Sequence, residues 1–149
     1  MTLLVERLDR AFKEALKGQQ ATALSTLRML RTAIRHREVE LKHQLSEVEL
    51  QAVISSQAKQ RREAMAEYQK AGRPDLAQKE EEELQVLLSF LPPQLSPEEL
   101  EKEIAQVIAE VGASGPQDLG KVMKGAMSRL AGRADGKLVQ EIVRRRLSA

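Results

Sequence analysis

The sequence predicts an all-α protein, in which an elongated helical N-terminal region precedes a small three-helix C-terminal domain. Apolar residues recur at intervals of three and four along nearly the whole chain, as on one face of a helix. No segment shows the alternation of apolar and polar residues that predicts a half-buried strand. Capping residues, glycines and prolines separate the periodic segments, as expected at helix ends.

Three helices are predicted before the first proline. The first spans Leu3 to Lys17, and the second runs from about residue 20 to about residue 42. Ser46 and Glu49 form a capping box that predicts the start of the third, which continues through residue 72. At ~1.5 Å per residue this helix spans about 40 Å, which makes the region elongated. The expected core residues are Leu4, Leu8, Ala11, Phe12, Ala15, Leu16, Leu24, Leu27, Leu30 (or Met29), Ile34, Leu50, Ile54, Ala58, Met65 and Tyr68.

A fourth helix begins at Pro74, since proline suits the first turn of a helix. Pro92 and Pro93 end it, because neither residue has a backbone N–H to donate. This pair is the predicted boundary between an N-terminal domain, residues 1–93, and a C-terminal domain, residues 94–149. The apolar positions expected to pack are Leu76, Leu84, Leu87, Leu88 and Leu91.

Three further helices are predicted after the boundary. Ser96, Pro97 and Glu99 combine an N-cap, a first-turn proline and a capping-box acid at the start of the fifth helix. The sixth begins near Pro116, and a glycine-bracketed loop, residues 132–136, leads to the seventh. Their expected core residues are Leu100, Ile104, Val107, Ile108, Val111, Leu119, Val122, Met123, Ala126, Leu130, Leu138, Ile142, Val143 and Leu147.

The composition of the 149 residues excludes several classes of protein. The chain has no Cys, which excludes a disulfide scaffold, a thiolate zinc site and a cysteine nucleophile, and fits the reducing cytoplasm where we expect the protein. Its strongest apolar stretch, residues 86–91, is far shorter than the ~20 residues of a membrane-spanning helix, so no membrane partner is expected. The lack of Asn and Cys beside abundant Glu, Lys and Arg predicts a thermophilic source.

Candidate catalytic and metal-binding groups are sparse. His36 and His43 are the only histidines, and on one helix their Cα atoms lie ~10.5 Å apart, too far for one metal ion to bridge. His36 with Glu40 is a geometrically possible two-residue site, although such pairs are ordinary on solvated helix faces. The acidic run of residues 80–83 points in four directions and is interpreted as a solvated face. No nucleophile is placed beside an oriented base, so we expect no catalytic residue, no metal and no cofactor.

Charge is distributed unevenly, although the net charge is only +2. Residues 1–45 carry +4, residues 46–93 carry −3, residues 94–111 carry −4 and residues 112–149 carry +5. The last segment is here called the terminal basic zone. Its cations, which are the candidate nucleic-acid-binding residues, are Lys121, Lys124, Arg129, Arg133, Lys137, Arg144, Arg145 and Arg146.

The terminal basic zone admits two interpretations. It could contact the phosphates of a structured RNA, because Lys121 and Lys124 share one helix face and Gly120 and Gly125 leave the backbone open nearby. The near-absence of aromatic residues disfavours the stacking that single-stranded RNA readers use. Alternatively the charges are ordinary helix chemistry, in which Asp135 caps the last helix and the final arginines counter its dipole. Charge alone favours the second interpretation.

Several segments resemble a known family. GASGPQDLGKVMKGAM and GRADGKLVQEIV are similar to the GatB/YqeY tail domain, found at the C-terminus of the B subunit of glutamine-dependent aminoacyl-tRNA amidotransferase. LRMLRTAIRHREVE and KQRREAMAEYQKAGRPDLAQKEEEELQVLLSFLPPQL resemble the free-standing YqeY-like family. The resemblance covers essentially the whole chain. The matching motif positions are Gly120, Lys121, Gly132, Arg133, Asp135, Gly136 and Lys137.

The resemblance implies a YqeY-like helical domain, residues 1–93, and a domain like the GatB tail, residues 94–149. In the amidotransferase the tail domain helps to hold tRNA, while amide transfer occurs elsewhere, so the label of carbon–nitrogen ligase with glutamine as amido-N-donor carries over by domain membership alone. We therefore expect a non-catalytic accessory protein that binds tRNA or a tRNA-aminoacylation or amidation complex. A helical protein–protein adapter without RNA contact is the alternative, and amidotransferase activity of this chain alone ranks last.

Overall fold

The computed structural model describes residues 3–149, which contain helices and no strand, so the predicted all-α class is confirmed. The chain divides into two compact units, Met1–Pro92 and Pro93–Ala149, here called the N-terminal and C-terminal units. No helix within residues 3–149 has the length and apolar character needed to cross a membrane. The helices are α1 (Leu3–Lys17), α2 (Ala21–Leu41), α3 (Glu47–Lys70), α4 (Pro74–Leu88), α5 (Pro97–Val111), α6 (Leu119–Leu130) and α7 (Gly136–Ser148), with a short 3₁₀ turn, Pro116–Asp118, before α6.

The N-terminal unit is built around a hairpin of α3 and α4, against which α2 packs, with α1 against α2 and α3. The 24 residues of α3 span about 36 Å. Leu30, Leu50 and Ile54 are almost completely buried at its centre. Burying apolar surface at ~25 cal/mol per Å² is the main favourable contribution to folding here. The buried members of this core are Leu4, Leu8, Ala15, Leu27, Leu30, Leu45, Leu50, Val53, Ile54, Ala58, Leu84, Leu87, Phe90 and Leu91.

The predicted capping box at the start of α3 is present. The Ser46 hydroxyl accepts a hydrogen bond from the backbone N–H of Glu49, and the Glu49 carboxylate accepts one from the backbone N–H of Ser46. This second hydrogen bond stabilises the ionised carboxylate and lowers the pKa of Glu49. Two free amides at the helix end are thereby satisfied without any tertiary contact.

Three residues that the periodicity placed in or near the core are exposed instead. Leu16 is 47% exposed, and Met29 and Leu138 are each 41% exposed. The expectation that Leu16 and Leu138 are core residues was wrong. Of the two alternatives Leu30 and Met29, Leu30 is the buried core residue and Met29 is exposed. In each case the residue one step away in sequence, about 100° around the helix, points more directly at the core. These buried neighbours are Ala15, Leu30 and Val139.

The C-terminal unit packs α5, α6 and α7 around a second core. Ile104, Val122, Val139 and Val143 are each 0% exposed and come from all three helices. The N-terminus of α5 is formed as its sequence indicates. The Ser96 hydroxyl accepts a hydrogen bond from the backbone N–H of Glu99, and Pro97 is the first helical residue. The other buried members are Leu100, Val107, Ala126, Leu130, Ile142 and Leu147.

One ion cluster is buried inside the α3–α4 hairpin. Nη1 of Arg61 lies 3.2 Å from Oε2 of Glu80 and 3.1 Å from Oε2 of Glu83. The three side chains are only 16%, 13% and 7% exposed, respectively. The prediction that the acidic run is a solvated face is therefore wrong for Glu80 and Glu83, because α3 covers that side of α4. Burial raises the pKa of Glu80, and the charge of Arg61 opposes the rise.

Replacing the central cation tests how much the hairpin depends on this cluster. Arg61→Met should lower the free energy of unfolding by about 3–5 kcal/mol, since it leaves two buried carboxylates without a cation. The matched control is Lys59→Met on the same helix, where the side chain is exposed and the change should stay within about 0.5 kcal/mol. Urea denaturation followed by circular dichroism measures both. Equal stability of the two variants would contradict the assignment.

The raised pKa of Glu80 has a consequence for the pH dependence of stability. A carboxyl whose folded-state pKa lies above its unfolded value contributes stability below the unfolded value and loses it as the pH rises through the folded value. Glu80→Gln removes this loss, so its stability relative to the parent chain should improve as the pH rises from about 4 to about 7. Glu82→Gln, at an exposed neighbour, should change with pH as the parent does. If the free energies of unfolding of Glu80→Gln and the parent differed by the same amount at every pH, the burial assigned to Glu80 would be refuted.

Candidate nucleic-acid interface

Three of the eight cations in the terminal basic zone are paired with acids of α5. Arg129 at the end of α6 bridges two of them, with Nε 2.9 Å from Oε2 of Glu103 and Nη1 3.1 Å from Oε2 of Glu110. Glu101 binds two arginines of α7. Its Oε2 lies 2.7 Å from Nε of Arg146, and its Oε1 accepts from Nη2 of Arg145. These pairs occupy the side of the unit where α5 lies.

The other five cations have no ion pair within residues 3–149. Lys121 and Lys124 are exposed and lie three residues apart on the face of α6 opposite the buried Val122 and Ala126. Arg133 is half-buried in the loop before α7. The remaining two are exposed on α7, seven residues apart and hence on one face, with Glu141 between them. They are Lys137 and Arg144.

The loop that carries Arg133 is held in place by the segment before α5. The side-chain amide of Gln94 donates to the carbonyl oxygen of Gly132 at 2.6 Å. The backbone N–H of Leu95 donates to the carbonyl oxygen of Arg133 at 3.0 Å, and Arg133 itself donates to Leu130 at 2.9 Å. Gly132 has a φ of +75°, a backbone conformation that residues with a Cβ rarely adopt. The backbone at Arg133 is therefore fixed before any partner binds.

The first turn of α7 is formed by the rest of the same motif. Asp135 is the N-cap, as expected, and its Oδ1 accepts a hydrogen bond from the backbone N–H of Lys137 at 3.3 Å. A Cβ at Gly136 would lie 3.4 Å from Cε of Met127, an ordinary contact distance, so no close packing requires a glycine there. Asp135 is explained by its capping role, whereas the exposed Lys137 has no acid partner among the described residues.

The two glycines of α6 differ in their surroundings. A Cβ at Gly120 would meet no atom within 4 Å, whereas a Cβ at Gly125 would lie 3.2 Å from Cγ1 of Val107. The expectation that both glycines leave the backbone open is therefore wrong for Gly125, which packs against α5. It holds for Gly120, where no packing contact requires a glycine. An exposed helical glycine costs stability relative to alanine, so its presence beside Lys121 has no explanation in the packing of the unit.

The histidines do not assemble a larger site. Glu40, the potential partner of His36, is bound by Arg37 at 2.8 Å. His43 has Nε2 3.6 Å from Oε2 of Glu49 and Nδ1 2.7 Å from the carbonyl oxygen of Gln44. Across residues 3–149, no three His, Cys, Asp or Glu side chains are arranged to hold a metal ion.

The structure adds residues that the sequence did not reveal as neighbours of the terminal basic zone. Glu101, Glu103 and Glu110 form the ion pairs that engage Arg129, Arg145 and Arg146. The net charge of −4 over residues 94–111 indicates that α5 is acidic. It does not indicate which cations the acids meet, because the pairs join residues far apart in sequence.

Comparison with known proteins identifies the family. The family model described as Yqey-like protein matches residues 5–147, nearly the whole chain. This chain belongs to the YqeY-like family. The resemblance of the quoted motifs to that family is thereby confirmed, and the match extends over both structural units.

Individual relatives of this YqeY-like chain are fungal and archaeal. An uncharacterized protein of Schizosaccharomyces pombe is 32% identical over 79 residues, which cover 53% of this chain and 64% of that protein, less than two thirds of its length. The altered inheritance of mitochondria protein 41 of Pyrenophora tritici-repentis is 28% identical over 148 residues, covering 95% of this chain and 81% of that one. A subunit of the glutamyl-tRNA(Gln) amidotransferase of Thermococcus gammatolerans is 44% identical over 57 residues, which cover 36% of this chain and 9% of that protein.

A pair of glycine substitutions tests the different surroundings of the two α6 glycines. Gly120→Ala should raise the free energy of unfolding by about 0.4–1 kcal/mol, because alanine restricts the unfolded chain and its Cβ meets open space. Gly125→Ala restricts the unfolded chain equally, but its Cβ presses on Val107, so it should be the less stable variant. Urea denaturation of both variants measures the difference. A Gly120→Ala protein no more stable than Gly125→Ala would contradict this account.

Proposed function

We propose that this YqeY-like protein is a non-catalytic module that binds tRNA, or a complex that aminoacylates or amidates tRNA, through its C-terminal unit. The observation that carries the proposal is the set of five cations without acid partners within residues 3–149: Lys121, Lys124, Arg133, Lys137 and Arg144. Four of them lie within the two glycine-containing motifs, and Arg144 directly follows the second motif. Positive side chains that release counterions from phosphates supply most of the affinity of a protein for a nucleic acid.

The pairing of charges within the unit supports contact on the faces away from α5. Arginines near α5 are neutralised by Glu101, Glu103 and Glu110, whereas Lys121 and Lys124 on the outer face of α6 form no ion pair among the described residues. A phosphate approaching α5 would meet carboxylates and be repelled. A phosphate approaching the outer face of α6 would meet two ammonium groups.

The open backbone at Gly120 supports the same face. A phosphodiester group is bulky, and a helix without a side chain at one exposed position allows it to approach the backbone more closely than any other residue would. Tyr68 and the two phenylalanines, the only aromatic residues, all precede residue 94. Base stacking by the C-terminal unit is thus excluded, and its recognition of RNA would depend on shape and phosphate position.

The comparisons support a tRNA context by similarity. The archaeal relative is named as a subunit of a glutamyl-tRNA(Gln) amidotransferase, and the matched stretch of 57 residues is about the size of the C-terminal unit. That stretch is 9% of the archaeal protein, so the activity of the whole protein does not transfer with it. The support therefore concerns the binding of tRNA and not amide transfer.

Compartment and source stay predictions. The absence of Cys fits a reducing cytoplasm, while the Pyrenophora relative is named as a mitochondrial protein. The heat-adapted composition predicts a thermophilic source. Neither prediction affects the charges from which tRNA binding is inferred.

Charge reversal tests the proposal. The variant carrying Lys121→Glu, Lys124→Glu and Arg133→Glu, here called the tail reversal, should bind an unmodified tRNA transcript at least about 10-fold more weakly than the parent. Filter binding across a salt series should give a slope of about −0.7 to −0.9 per phosphate contact in a plot of log affinity against log salt, and a shallower slope for the variant. All three side chains are at the surface or in a loop, so circular dichroism should detect no loss of fold.

The matched control reverses three exposed lysines of the N-terminal unit: Lys17→Glu, Lys59→Glu and Lys70→Glu. It changes the net charge by the same amount and should retain most of the affinity. A weak, salt-independent response of the parent chain would refute tRNA binding. Equal losses in the tail reversal and the control would show an effect of net charge without a defined interface.

A further inference from the structure

The N-terminal unit carries a second basic surface that the terminal basic zone does not explain. Arg28, Arg35 and Lys42 follow one another at intervals of seven residues along α2 and its C-cap. Seven residues nearly complete two helical turns, so the three cations lie on one face, ~10.5 Å apart and ~21 Å from end to end. All three are exposed, as are the residues between them on this face, Thr32 and Val39. These five residues are here called the α2 basic stripe.

No acid neutralises the α2 basic stripe within residues 3–149. Its three cations have no ion pair, and the acids nearest to them in the fold are engaged or lie beside the stripe. Asp9 is paired with Arg31, with Oδ1 3.4 Å from Nη2 of the arginine. Glu40 is paired with Arg37, with Oε2 2.8 Å from Nη1 of that arginine. Glu38, which lies three residues after Arg35 and four before Lys42, is half-buried and lines the groove between α1, α2 and the start of α3 together with Arg35. The stripe therefore presents three cations that form no ion pair among the described residues.

Helix stability does not explain two of these cations. The negative end of the helix dipole favours cations in the last turn, which accounts for Lys42. Arg28 and Arg35 lie outside that turn and are exposed, although Arg35 also lines the groove between α1, α2 and the start of α3. Surface charges of this kind contribute within about 0.5 kcal/mol to stability. Their lack of an acid partner points instead to an anionic ligand.

We propose that the α2 basic stripe contacts the phosphate backbone of double-helical RNA, as a second site in addition to that of the C-terminal unit. The partner class rests on the proposed function, whereas the surface itself is independent of it. Three cations without ion pairs over ~21 Å of one helix complement the dense negative charge of a duplex, to which proteins bind largely by electrostatic contact with phosphates. The stripe contains no aromatic side chain on which an unpaired base could stack, which argues against single-stranded RNA. An acidic protein surface is the competing outcome of the test.

The test uses the full chain and a variant in which the three cations are neutralised: Arg28→Gln, Arg35→Gln and Lys42→Gln. The control neutralises Lys17, Lys59 and Lys70 to Gln, and the tail reversal is measured alongside. The probe is a labelled RNA duplex of about 20 base pairs, and fluorescence anisotropy is recorded across a salt series. If each cation contacts one phosphate, the slope of log affinity against log salt should become shallower by about 2–3 in the stripe variant and stay unchanged in the control.

The outcomes separate this inference from the proposed function. Loss in both the stripe variant and the tail reversal supports two contact surfaces. Loss in the stripe variant alone supports the inference and overturns the assignment of the C-terminal unit. Loss in the tail reversal alone overturns the inference and leaves the proposed function standing. No duplex binding by the parent chain overturns the inference alone, because the proposed function is decided by the tRNA filter-binding series. Binding of a polyglutamate peptide in place of the duplex, lost in the stripe variant, assigns the surface to an acidic protein instead.

Discussion

Every helix of this chain depends on covering its apolar stripe with another helix, because isolated helices of this length are marginal in water. That requirement is met twice, by one core built from residues 4–91 and by a second built from residues 95–147. Pro92 and Pro93 lie where one set of contacts ends and the other begins. Most of the apolar faces are turned inward, although single apolar side chains such as Val39 and Val48 remain exposed.

The arrangement of surface charge follows from which charges neutralise each other. In the C-terminal unit, α5 supplies the carboxylates that hold Arg129, Arg145 and Arg146, while the remaining cations form no ion pair among the described residues. These exposed pairs add little to stability, since such pairs are typically worth about 0–1 kcal/mol. Their effect is to restrict where an anion can approach. A unit with a small net charge can therefore still present a basic face.

The Arg61 cluster, formed with Glu80 and Glu83, affects how α3 and α4 align in the hairpin. Apolar contacts between the two helices are non-directional, whereas an ion pair requires particular residues to face each other. A slide of α3 along α4 would carry Arg61 away from both carboxylates and leave buried charges uncompensated, at a cost of several kcal/mol. The cluster therefore favours one alignment of α3 and α4. Because α2 packs against both of these helices, the same alignment also fixes the position of α2.

The all-α class and the capping box at Ser46 could be predicted from the amino-acid sequence. Apolar spacing and capping residues depend on positions a few residues apart, so they can be recognised locally. The sequence also reveals the basic zones, but not which of their cations are free. That was decided by tertiary contacts such as Glu101 with Arg145, 44 residues apart, and Arg61 with Glu83, 22 apart. Pairing and burial depend on which helix faces meet, and no local pattern specifies that.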